Sequence, residues 1–159
     1  MYDPKAQEPY LIDADLGKSV NKLGTPSSNP RTGTLPFMAI DLLVEAPPPH
    51  LYRHDLESFF YVLVWICAED YHGWHRVDSV TDMAETKSYF LIPFDIEQLR
   101  VGKFVELKAT WTTKLHCLFV IGVAQRLLWN KRKGPPFDNE TLGGSVTYET
   151  FLEAIDDSP

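Results

Sequence analysis

A chain of 159 residues that is 44% hydrophobic and 13% aromatic carries enough apolar side chain for one globular core, which excludes an intrinsically disordered chain. Its net charge of −7 argues against nucleic acid as a partner, because phosphate backbones are held by concentrated Lys and Arg. The one basic cluster, Lys131-Arg132-Lys133, suits the C-terminal end of a helix instead.

In chain order, Met1–Pro9 has no periodicity and reads as an irregular lead-in without the apolar region of a signal peptide. Tyr10–Asp13 and Leu16–Val20 read as two short strands, a small β element near Asp13. Asn21–Thr34 is a loop punctuated by Gly24, Pro26, Pro30 and Gly33; its Ser19, Thr25, Ser27, Ser28 and Thr32 neighbourhood reads as solvated, with Thr25-Pro26 the best phosphorylation candidate. Leu35–Val44 holds a short helical turn, ended by Ala46-Pro-Pro-Pro49, since proline lacks the amide donor.

The central run is Arg53–Ala68, with no charged or strongly polar residue from Phe59 onward. Leu56, Phe59, Phe60, Leu63 and Cys67 share one helical face, and Val62, Val64, Trp65 and Ile66 make the other faces apolar too. That pattern predicts a helix buried on all sides, with Asp55 as its N-cap and Glu57 in its first turn. A loop over Glu69–Val80 follows, then a helix over Asp82–Leu91 capped by Thr81 or Asp82 and ended before Pro93. Phe94–Glu106 is ambiguous. Leu107–Lys131 reads as a long helix burying Trp111, Leu115, Leu118, Val123, Leu127 and Leu128, stopped by Gly134-Pro-Pro136. Thr147 caps a last short helix through Ile155, with Phe151, Leu152 and Ile155 facing inward.

The most apolar late stretch, Leu115–Trp129, is interrupted by His116, Gln125 and Arg126 and falls short of the roughly 20 residues that a spanning helix needs, so no membrane segment is expected. Cys67 and Cys117 lie in apolar runs and read as reduced core thiols, which suits a cytoplasmic or nuclear protein. His50 with His54, and His72 with His75, have helical-turn spacing, but no Cys joins them and no His-Glu-x-x-His occurs, so they are not read as a zinc site.

Three stretches carry a resemblance. Leu11-Ile-Asp-Ala-Asp-Leu-Gly-Lys18 resembles the protein-kinase turn that bears Asp-Phe-Gly. Gly33-Thr-Leu-Pro-Phe-Met-Ala-Ile-Asp41 resembles the end of a kinase activation segment, and His54-Asp-Leu-Glu-Ser-Phe-Phe-Tyr61 the start of the kinase central helix. The wording around Arg31–Ala39 and Arg53–Leu63 looks like the fungal-type protein kinase family. The resemblance covers about the first 70 residues and implies a mainly α fold, a partial protein-kinase-like C-terminal lobe spanning residues 1–159, with the small β element near the N-terminus.

What the resemblance implies for the residues follows position by position. Asp13 matches the metal ligand that would hold Mg²⁺ against ATP phosphates in a full-length parent. Thr34 matches the threonine that contacts the catalytic aspartate, and Leu35 to Met38, with Phe37 among them, match the loop receiving the substrate residue beside the phospho-acceptor. Asp41 matches the acid that pairs with a late arginine, here Arg126 or Arg132; Asp55 matches the aspartate that tethers the catalytic loop.

The departures are Asp13-Ala14-Asp15 in place of Asp-Phe-Gly and Ala39-Ile40-Asp41 in place of Ala-Pro-Glu. No Gly-rich loop, strand lysine or His-Arg-Asp motif occurs, and only twelve residues precede Asp13. The implied function is therefore part of an ATP-dependent Ser/Thr protein kinase, with this chain alone inactive and binding neither Mg²⁺ nor ATP tightly. A non-catalytic, pseudokinase-type interaction module is the alternative. Expected partners are a protein substrate or partner protein, or a second copy of the chain through apolar surface left uncovered.

Overall fold

The computed structural model describes residues 2–3, 5, 8–9, 33–69, 74–93, 95–132 and 134–156, and these are mainly helical. The β element expected at Tyr10–Asp13 and Leu16–Val20 lies outside the described residues, as do Asp13, Ala14 and Asp15 and the phosphorylation candidates of the following loop. Upstream of it, β1 (Tyr2–Asp3) and β2 (Glu8–Pro9) form a short antiparallel pair, with Tyr2 opposite Pro9 and Asp3 opposite Glu8. Two 3₁₀ turns, Leu35–Phe37 and Ile40–Leu42, stand where one helical turn was expected.

Helix α1 (Tyr52–Cys67) begins ahead of the expected Asp55 cap. Leu51 is the extended residue before it, and the ring of His54 supplies the reciprocal bond: its Nδ1 accepts from the Leu51 N–H at 3.1 Å. Asp55 thus sits within the first turn, exposed, where its charge suits the helix dipole. The buried stripe runs Arg53, Glu57, Phe60, Val64 and Cys67, flanked by His54, Leu56 and Tyr61. This corrects the all-round burial: Phe59 is 60% exposed and Ile66 45%. The stripe is rotated from the expected face because three polar residues of the first two turns point inward, drawing the axis of burial away from Phe59.

Helix α2 (Val80–Leu91) is capped by Ser79, whose Oγ accepts from the Asp82 N–H at 3.2 Å; the cap is neither Thr81 nor Asp82. The ambiguous stretch holds a 3₁₀ turn, Ile96–Gln98, and one isolated bridge between Ala68 and Val101. The expected long helix is present, its backbone helical without interruption from Val105 to Trp129, as α3 (Val105–Leu107), a π-helical turn (Lys108–Thr112) and α4 (Thr113–Trp129). At the wide turn the buried Thr112 hydroxyl meets the Leu107 carbonyl at 3.3 Å and the Cys67 sulfur at 3.6 Å. Leu115, Phe119 and Gly122 line the inner face of α4, whereas Leu127 and Leu128 are exposed, contrary to expectation. Cys117 is also exposed, so only Cys67 is a core thiol; neither is in a disulfide. Helix α5 (Tyr148–Ile155) is capped by Thr147, whose Oγ1 accepts from the Thr150 N–H at 3.1 Å, with Phe151 buried and Leu152 largely exposed.

The centre of the core is aromatic. The Phe60 ring stacks on Phe119 at 5.3 Å, and the Trp74 ring stands edge-on to Tyr61 and Phe90 at 5.4 and 5.5 Å. At Gly122, α4 passes so close to the 138–146 loop that an added Cβ would lie 2.8 Å from the Leu142 Cβ. This contact seats Leu142, which is fully buried with φ +51°, between α4 and the rest of the core. No helix among the described residues is long and apolar enough to cross a membrane.

Candidate functional site

Three inward-facing polar residues on α1 and one on α2 converge on residues 38–41. Asp41, in the second 3₁₀ turn, receives Arg126 from α4 in a bidentate pair, at 2.6 Å to Oδ2 and 3.0 Å to Oδ1. Arg53 also donates to Oδ2, and its Nε to the Asn139 carbonyl. One carboxylate thereby ties the 40–42 turn, α1, α4 and the late loop into a single knot. Burial alone would raise the Asp41 pKa, but the hydrogen bonds and charges of Arg126 and Arg53 outweigh it and hold it at about 2. Arg132, the other candidate partner, is exposed.

One turn along α1, Glu57 Oε1 accepts from the Ile40 N–H and from the Tyr61 hydroxyl, both at 2.9 Å. Burial pushes the Glu57 carboxyl up, against the pull of these donors and of Lys87. Lys87 is fully buried; its ammonium donates to the Met38 carbonyl and lies 3.8 Å from the centre of the Tyr61 ring. Burial brings its pKa down to about 7, with the Glu57 charge opposing the fall. The backbone of 38–41 is thus bonded by the side chains of Glu57 and Lys87, both of which are buried.

The front of the same segment is open. Thr34 is exposed, with its carbonyl accepting from the Phe37 N–H at 2.8 Å. Leu35 and Phe37 are half-buried, and Phe37 sets its edge on the Trp65 ring at 5.4 Å. Thr34, Leu35 and Phe37 therefore share one short turn, with Asp41 fixed behind it. Asp55 stands apart from this group, paired at 3.1 Å with His50 on the surface.

His54 is buried beside the knot. Its Nδ1 is occupied as an acceptor, so the proton of the neutral ring is on Nε2, 4.0 Å from Asp41 Oδ2 and without a hydrogen-bond partner among the described residues. Burial, reinforced by Arg53, lowers its pKa to about 3. The ordinary value is 6.5, so the unfolded chain takes up this proton first. The stabilisation is complete above pH 6.5 and is lost as pH falls toward 3, by up to about 5 kcal/mol in all. Urea denaturation at pH 7 and 5 checks this: the wild type should lose roughly 2 kcal/mol more over that interval than His54→Gln, whose amide oxygen can keep the Leu51 bond. Equal losses would mean that the ring is not held neutral.

Of the residues that resemblance singled out, the structure groups Thr34, Leu35, Phe37 and Asp41, leaves Asp55 on the surface, and does not describe Asp13. Among the described residues no group of three or more His, Cys, Asp or Glu could hold a metal ion. Arg53, His54, Glu57 and Lys87 were missed as site residues. For Lys87 a signal existed: it falls on the buried stripe Met83, Lys87, Phe90, Leu91 of α2, where a lysine needs an acceptor.

Residues 2–67 match the model of a family described as fungal protein kinase. The match ends with α1 and takes in the 34–41 segment with Asp41, Arg53, His54 and Glu57, but not Lys87 or Arg126. No curated protein and no solved structure matches the chain.

Proposed function

From the match of residues 2–67 to a family described as fungal protein kinase, we infer a role as the C-terminal-lobe part of an ATP-dependent Ser/Thr protein-kinase-like domain. The observation that supports this reading best is Asp41, clamped by Arg126 from 85 positions away and by Arg53, behind an open turn at Thr34–Phe37. A loop that must receive a peptide beside its phospho-acceptor needs a rigid back and an accessible front, and charge-assisted bonds from the buried Arg53 and the half-buried Arg126 give that rigidity. In this role Asp13 is the Mg²⁺ ligand, and Mg²⁺–ATP binds the full-length parent with a protein hydroxyl as acceptor. The free thiols of Cys67 and Cys117 suit a cytoplasmic or nuclear setting, where thiols are kept reduced.

Phosphoryl transfer relies on metal, lysine and base acting together, and no Gly-rich loop, strand lysine or His-Arg-Asp occurs in the 159 residues. The purified chain is therefore expected to give no phosphate transfer from Mg²⁺–ATP to a mixed Ser/Thr peptide pool. Transfer above a denatured control, lost in Asp13→Ala, would overturn that expectation. Asp13-Ala14-Asp15 and the exposed Phe59 and Ile66 on α1 favour the second reading, a non-catalytic module that binds a partner protein or a second copy. Light scattering over a concentration series separates the copy from the partner.

A further inference from the structure

Behind the knot, between the C-terminal halves of α2 and α4 and the 138–146 loop, lies a cavity of about 180 Å³. Its apolar wall is Leu91, Ile92, Val123, Leu127 and Leu142. Its other side is Arg53 and Arg126 with the carboxylates of Asp41 and Glu57. The volume is on the scale of an apolar cavity of about 150 Å³ that takes up benzene. The chemistry differs from a purely apolar void, because two guanidiniums face a single Asp41 carboxylate while Glu57 has the charge of Lys87 acting on it. Arg126 gives two of its five N–H donors to Asp41, and its side chain, 24% exposed, lines the cavity.

We propose that this cavity is a binding site for a small organic anion: one aromatic ring or branched aliphatic body carrying a single carboxylate. The body lies against Leu91, Val123 and Leu142, where burial removes its apolar surface from water. The carboxylate meets the remaining donors of Arg126 and offsets the excess positive charge. Such a ligand touches the 40–42 turn, α2 and α4 together, so it adds to the stability of the part of the fold that holds the 34–41 segment.

Benzoate is the probe, with benzyl alcohol as its uncharged counterpart, in a methyl-detected NMR titration of the whole chain. Saturable binding of benzoate with a Kd of about 1 mM or tighter is expected, at least about tenfold tighter than benzyl alcohol. Shift changes should centre on the methyls of Leu91, Val123 and Leu142. Ser88→Phe and Leu127→Trp each put a ring into the cavity from a position that is not fully buried, and each should weaken benzoate about tenfold or more. The Ser88 hydroxyl bonds within its own helix, to the Ala84 carbonyl, so its loss leaves the tertiary fold in place. No saturation by 10 mM, equal binding of the two probes, shifts centred elsewhere, or unchanged affinity in whichever variant keeps the cooperative wild-type unfolding would each overturn the site. The wild-type titration decides the question by itself if neither variant folds.

Discussion

Phe60→Ala is expected to lower the free energy of unfolding by about 3–5 kcal/mol, while Phe59→Ala changes it by no more than about 0.5 kcal/mol. The two side chains are chemically identical and adjacent in sequence, so composition and helix propensity predict equal losses. Position on the helix separates them. Phe60 is fully buried, with Phe119, Tyr61 and Phe90 around its ring, and its removal leaves a cavity that these rings cannot close without leaving their own contacts. Phe59 has most of its ring in water already. Leu63, half-buried, should fall between them. Urea denaturation of the three variants tests the orientation of α1; a large loss at Phe59 would show that the helix is rotated, or that its outer face is covered by a second molecule.

The existence of that helix was legible in the sequence, and its rotation was not. An apolar run that lacks a polar face gives periodicity nothing to discriminate with, so Phe59 and Phe60 read alike. What sets the rotation is the polar first turns. Arg53, His54 and Glu57 turn inward because Asp41, the Leu51 N–H and the Ile40 N–H await them there. These partners lie far from them on the chain or belong to the backbone, which single-sequence reading does not locate. The last helix was legible in its Thr147 cap and its end at Ile155 because capping is local chemistry, but Leu152, expected to face inward, is exposed. The long helix over Leu107–Lys131 was legible, but the π-turn within it at Lys108–Thr112, where Thr112 meets Cys67 of α1, was not, since apolar periodicity carries no signal for a single wide turn. Asp41 stood out through the resemblance of 33–41 to an activation segment; Lys87 would have stood out through its place on the apolar stripe of α2.

Asp41→Leu is expected to cost about 3–5 kcal/mol, whereas Asp55→Ala costs about 1 kcal/mol or less. Both are aspartates paired with a basic side chain, both lie in the part of the chain matched by the family model, and both were singled out by resemblance. The difference is water. The Asp55–His50 pair is more than half exposed on its acidic side, so solvent screens it and replaces it once it is broken. Removing the Asp41 carboxylate leaves Arg53, which is fully buried, without its acidic partner, and deprives Arg126 of both of its bonds. Solvent does not reach the Arg53 guanidinium to compensate, so the cost is that of an uncompensated buried charge. Asp41→Leu combined with Arg53→Met removes that charge and should recover more than 1 kcal/mol of the loss, the mark of two groups acting on each other. Simple additivity of the two substitutions would mean that Arg53 is held mainly by the Asn139 carbonyl and that the knot behind residues 34–41 rests on Arg126 alone.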